Sequence, residues 1–146
     1  MDKQKPNILF LCTGNSCRSQ MADGWGKALK SGRYNFFSAG IETHGLNPNA
    51  VRVMDEAGVN ISTHISKTLE ALNDVDFDIV FTVCGHAHET CPHFPEHTKI
   101  IHVGFDDPPK LAKTATSEDE ALGHYRRVRD EIRSFVDDIE AYFIKT

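Results

Sequence analysis

The strongest constraint on this chain is the stretch Cys12-Thr-Gly-Asn-Ser-Cys-Arg-Ser19, set between an apolar run and a helix-like run. Before it, Ile8-Leu9-Phe10-Leu11 shows no alternation, as expected of a strand covered on both faces. After it, Gln20 to Leu29 reads as a helix. A loop that leaves a strand and opens a helix turns several backbone N–H groups toward one point, where negative charge is favoured. Cys12 opens this loop and Arg18 nearly closes it, so a thiol and a guanidinium flank one concavity. Gly14 permits close backbone approach, Asn15 tolerates a left-handed conformation, and Ser19 offers a hydroxyl to a thiolate at Cys12. A cysteine with a downstream arginine is a weak signal alone; the strand–loop–helix setting gives it meaning. The stretch predicts a tetrahedral oxyanion seated on Thr13, Gly14, Asn15, Ser16, Cys17 and Arg18, above the Cys12 sulfur. At a helix N-terminus and beside Arg18, Cys12 is expected to be a thiolate at neutral pH.

The remaining chain alternates strands with helices. Strands are expected at about Asn7–Cys12, Phe36–Ala39, Asp78–Val83 and Lys99–Val103. Helices are expected from about Ser19 to Lys30, and from the Asn47-Pro48 cap to Gly58. A long final helix starts at the Ser117/Glu120 capping box and carries one apolar stripe from Leu122 through Tyr125, Val128, Ile132, Phe135, Val136 and Ile139 to Tyr142 and Phe143. This order predicts an α/β fold: a single domain over residues 1–146, with an open four-stranded parallel sheet flanked by helices. In such sheets ligands bind outside the carboxyl ends of the strands. Cys12, Ser38, Cys84 and the Phe105-Asp106-Asp107-Pro108 turn all fall there.

The groups at that edge suggest a chemistry. Arg18 grips two oxygens of a tetrahedral anion and the loop amides stabilise charge on it. A thiolate displacing one oxygen in line needs an acid on the far side, and Asp107 is the candidate. Cys84-Gly-His-Ala-His-Glu-Thr-Cys91 adds two thiols, which a disulfide would join if the segment folds back. A thiol that attacks a sulfur bound to an oxidised centre releases that centre reduced, and another thiol then carries the disulfide away. Zinc is a rival use for Cys84, His86, His88, Cys91, His93 and His97, although the spacing matches no tight paired pattern. Cys17 reads as a small buried side chain, or as a protective disulfide partner of Cys12.

Composition narrows the class. A net charge of −5 argues against nucleic-acid binding, and the field of the whole molecule does not attract anions, so the loop must do so locally. No apolar run is long enough to span a membrane, and Met1 to Pro6 has no signal-peptide core. With four cysteines, these features predict a cytoplasmic protein in a reducing compartment, and 146 residues suit a monomer.

Taken together, the motifs resemble the thioredoxin-coupled arsenate reductases, built on the low-molecular-weight protein tyrosine phosphatase fold. The resemblance rests on Cys12 to Ala22, Ser38 to Glu42, His44 to Val51, Cys84-Gly85, Thr90-Cys91-Pro92, Gly104 to Pro108 and Arg127 to Ile132. It implies that Cys12 attacks arsenate, that Arg18 and the loop bind its oxygens, and that Asp107 protonates the leaving hydroxyl. It further implies that Cys84 attacks the Cys12 adduct, that arsenite departs, and that Cys91 draws the disulfide onto Cys84 for thioredoxin to reduce. No bound cofactor is implied. Relatives can hold a potassium ion with groups matching Asn15, Asp23, Ser38 and an acid at position 67; here position 67 is Lys67, whose ammonium would replace the cation.

Two other functions remain to be separated. A phosphomonoester or phosphotyrosine phosphatase would need Cys12, Arg18 and Asp107 only. Against a phosphotyrosine substrate, Pro109-Lys110 follow Asp107-Pro108 where an aromatic pair would sandwich a phenyl ring. A zinc- or anion-binding regulator without turnover is the third.

Overall fold

A computed structural model describes residues 5–143, apart from the side chains of His86 and His88. The first strand, β1 (Asn7–Cys12), runs into the anion loop and then α1 (Arg18–Lys30). The chain returns as β2 (Asn35–Gly40), followed by α2 (Pro48–Glu56) and a 3₁₀ turn at Leu69–Leu72. Then come β3 (Ile79–Thr82), α3 (Gly85–Glu89), β4 (Lys99–His102) and α4 (Pro108–Ala112). Helices α5 (Glu118–Asp137) and α6 (Glu140–Phe143) close the described chain.

The strands form one parallel sheet in the order β2-β1-β3-β4, which is the predicted architecture. From β1 the chain moves outward to β2, then crosses back to β3 and β4. The direction of winding therefore reverses between β1 and β3, and the crevice at their carboxyl ends is where such sheets bind ligands. Cys12 ends β1 and Cys84 follows β3, so topology alone sets both sulfurs at that crevice. Ile8 to Leu11 are fully buried, as an unalternating central strand should be. By contrast β4 alternates between half-buried and exposed, with Ile100 in the open, because it lies at the sheet edge.

An aromatic cluster supports the sheet. Phe10 stacks between Phe36 at 5.8 Å and Phe81 at 5.9 Å, and Phe135 of α5 meets Phe81 edge-on at 5.0 Å. Leu122, Tyr125, Val128, Ile132, Phe135 and Val136 form the buried face of α5. Ser117 caps that helix by accepting from the Glu120 N–H, while Glu120 accepts from the Thr116 N–H, one residue earlier than the capping box requires.

The final helix is not continuous as the stripe suggests. It stops where the Asp138 N–H donates to the Ser134 and Phe135 carbonyls, and a separate turn, α6, folds back. Tyr142 there meets Phe135 edge-on at 4.9 Å. A turn back onto the same core keeps the helical spacing of apolar residues, so periodicity could not reveal the break. The short helices α3 and α4 carry too few residues to show a period.

Candidate active site

The loop is built by turning its carbonyls outward. The Glu42 and His44 N–H groups donate to Thr13 and Gly14 carbonyls at 2.9 Å each, and the Asn47 N–H donates to Ser16 at 3.0 Å. Gln20 Nε2 reaches the Asn15 carbonyl at 3.2 Å, and Ser66 Oγ donates to Gly14 at 3.0 Å. With the carbonyls occupied on the outside, the loop amides are free to face the concavity. Asn15 takes the left-handed backbone expected of it, at φ 48°. Gly40 at the end of β2 lies against this loop: a Cβ there would be 2.8 Å from the Asn15 nitrogen and 2.8 Å from the Thr13 oxygen, so only glycine fits. The strap from Glu42 to Asn47 and the donors Gln20 and Ser66 have no chemistry of their own. Sequence reading had no signal for their role beyond their nearness to recognised motifs.

The open cleft has a volume of about 740 Å³ and brings together Cys12, Thr13, Arg18, Cys84 and Asp107. Both Cys12 and Cys84 are buried, and their thiols face each other. Their ionisations are coupled. The hydrogen bond between the two thiols and burial push the Cys12 pKa up, and the Arg18 charge opposes this. Cys84 is pushed down to about 5 by the same hydrogen bond, aided by Thr13 Oγ1 at 3.2 Å, the Ala87 N–H at 3.4 Å and the Arg18 charge. The two sulfurs thus share one proton, and the low ionisation belongs to the pair. Cys17 is buried and pushed up to about 12 by desolvation, in keeping with an inert packing role. Ser19 Oγ accepts from Asn15 Nδ2 at 2.9 Å; its described bond is to the loop, not to Cys12.

Arg18 lies across the mouth. Its Nη1 donates to the Phe105 carbonyl at 2.9 Å and its Nη2 is 3.7 Å from Asp107 Oδ1. The buried Nε–H of Arg18 has no protein partner among the described residues and is a donor suited to an oxyanion. Asp107 occupies the N-cap position of α4 but makes no side-chain bond to that helix, so its carboxylate stays available to the cleft. Its neighbour Asp106 points elsewhere, accepting from Arg127 Nη2 at 2.8 Å. Cys91 is half-buried, does not line the cleft, and has a pKa raised by desolvation. All four cysteines are free thiols.

Among the described residues, the zinc candidates Cys84, Cys91, His93 and His97 do not converge. His97 pairs with Asp76 at 2.7 Å, and the side chains of His86 and His88 lie outside the described residues. Among the described residues no group of three or more His, Cys, Asp or Glu side chains is placed to hold a metal ion. The residues considered for potassium do converge, but Asn15 Oδ1 already accepts two hydrogen bonds and the one Asp23 oxygen without a hydrogen-bond donor is faced by an ammonium. Asp23, only 2% exposed, accepts from Ser38 Oγ at 3.0 Å and meets Lys27 Nζ at 3.0 Å. Asn15 Oδ1 accepts from the Lys67 N–H and from Gln20 Nε2, each at 2.9 Å. A dehydrated cation needs several oxygen lone pairs facing it, so this set does not fit one.

A cysteine and an arginine on an anion loop at the switch point of a parallel sheet, with a carboxylate across the cleft, define a phosphatase-like protein. The chain belongs to the low molecular weight phosphotyrosine protein phosphatase family, whose pattern matches residues 7–143. Within it, the chain is 52% identical to the arsenate reductase of Bacillus licheniformis over 128 residues, 88% of this chain and 90% of that one. A solved arsenate reductase in its phosphate-binding state superposes with a TM-score of 0.74 at 29% identity, over 93% of this chain and 97% of that one. A low molecular weight protein tyrosine phosphatase from T. tengcongensis gives the same TM-score of 0.74 at 25% identity, over 94% and 99% of the two chains. The backbone alone therefore does not separate reductase from phosphatase; the sulfurs must.

Proposed function

We propose that this protein reduces arsenate to arsenite through Cys12, Cys84 and Cys91, with thioredoxin as the external reductant. The observation that carries this reading is the second thiol, Cys84, set against Cys12 inside the anion cleft. Hydrolysis of a phosphate ester has no use for it. The similarity to arsenate reductases supports the same choice.

In the proposed sequence, arsenate sits on the amides of Thr13 to Arg18 and in the Arg18 fork. Cys12, as a thiolate beside Arg18 and the loop amides, attacks arsenic, and Asp107 protonates the departing oxygen. Cys84 gives its proton to the Asp107 carboxylate left by that step and attacks the Cys12 sulfur. The electron pair of the sulfur–arsenic bond stays on arsenic, which leaves as arsenite, and a Cys12–Cys84 disulfide remains. Cys91 attacks Cys84, Cys12 departs as a thiolate, and the Cys84–Cys91 disulfide takes two electrons from the thioredoxin dithiol. The protein is read as one domain over residues 1–146, a cytoplasmic monomer that needs no bound cofactor. No described helix is long and apolar enough to cross a membrane.

Replacing Cys84 with Ser tests the reading. Arsenate reduction under multiple turnover should collapse, while hydrolysis of p-nitrophenyl phosphate, which needs only Cys12, Arg18 and Asp107, should persist at the weak wild-type rate. Loss of both activities together, or retention of both, would overturn it.

A further inference from the structure

We infer that the anion loop is held in shape by two of the chain's own lysines, Lys27 and Lys67, so that its anion affinity is independent of dissolved monovalent cations. The inference concerns the loop as an oxyanion seat and does not depend on arsenate being the substrate.

Asp23 is a buried carboxylate on α1. A carboxylate that is 2% exposed must be paired with a cation or pass into its neutral form. Ser38 Oγ takes one of its oxygens, which ties α1 to β2 beneath the loop. The other oxygen has no aligned hydrogen-bond donor and is met by the Lys27 ammonium at 3.0 Å, one helical turn along α1. Lys27 thus makes the direct contact with this carboxylate.

Lys67 acts through both its backbone and its charge. Its N–H donates to Asn15 Oδ1 at 2.9 Å and its carbonyl accepts from the Gly40 N–H at 2.9 Å, so its backbone is fastened to both the loop and β2. Its half-buried ammonium rests on the Ile65 carbonyl at 3.1 Å, within the field of Asp23. Burial lowers the Lys67 pKa and the Asp23 charge opposes that shift, as expected of a cation stationed near this carboxylate. Position 67 thus carries a fixed positive charge beside the loop, and a diffusible cation approaching the open Asp23 oxygen would meet two ammonium groups.

The test measures inorganic phosphate binding by calorimetry in potassium, sodium and tetramethylammonium chloride at equal ionic strength, with thermal melting followed in the same salts. Wild type should bind equally in all three, to within about twofold, and melt at the same temperature. The double variant K27M/K67D restores an acid and removes both ammonium groups. It should bind phosphate about tenfold more weakly in tetramethylammonium and regain affinity and melting temperature in potassium. The single variant K67Q, which keeps the backbone contacts, should show the same response in smaller measure. A wild-type protein that binds phosphate or melts several-fold or several degrees better in potassium would overturn the inference, as would a double variant indifferent to the salt. Should wild type bind no phosphate in any salt, the oxyanion-seat reading fails, and the melting comparison still decides the role of the lysines.

Discussion

Cys84 shows how a side chain acquires chemistry from neighbours that are distant in sequence. A helix N-terminus and an arginine argue for a thiolate at Cys12, and the hydrogen bond between the two thiols spreads that low ionisation over the Cys12–Cys84 pair. Thr13 and Ala87 add donors to that sulfur from both sides of the cleft. Thiolate absorbance at 240 nm should therefore show an ionisation near pH 5, with the anion present above that value and lost below it. In a Cys12→Ala variant the largest stabilising contact is gone, and the midpoint should move upward toward the ordinary thiol range. An unchanged midpoint would mean that Cys84 is not the sulfur titrating. The loop residues, Arg18 and Asp107 were legible because each lies in a local pattern of strand end, loop and helix start. The partner of Cys12 was legible only as a candidate, since nothing local links residue 84 to residue 13.

At the scale of elements, length decides what can be read. Helix α5 spans Glu118–Asp137 with a capping serine and a buried stripe, and such a helix announces itself. Helix α3 spans only Gly85–Glu89, lying between the two cysteines that the proposed relay joins. Its five residues rise about 7.5 Å, so the cysteines flanking it stand at or beyond the reach of about 7 Å between Cα atoms that a disulfide permits. In the proposed relay α3 opens as the Cys84–Cys91 bond forms. A Cys91→Ser variant removes the acceptor for that step without touching the cleft. It should convert about one arsenate per enzyme and then stop, with Cys12 and Cys84 found joined by peptide mapping. Sustained turnover in that variant would show that the external reductant reaches the first disulfide directly.

Across the whole molecule, the aromatic core and the cleft are mechanically continuous. The Phe105 ring packs on Phe135 at 5.6 Å, while its carbonyl holds Arg18 and its chain leads on to Asp106 and Asp107. A Phe135→Ala variant should lose about 3–5 kcal/mol of stability in urea unfolding, the usual cost of deleting a buried ring. If the coupling is real, it should also weaken phosphate binding, although Phe135 touches no ligand; a variant that is destabilised but binds normally would separate core from site. The outward-turned carbonyls of the loop carry one more consequence. A seat made of amide hydrogens and a guanidinium perceives the size and charge of its guest, and phosphate matches arsenate in both. The nutrient must then lodge where the poison does, and a phosphorus–sulfur bond gives a second thiol no reducible centre to release. In the proposed reaction, discrimination falls to the redox step after capture, and abundant phosphate becomes a built-in brake on arsenate turnover.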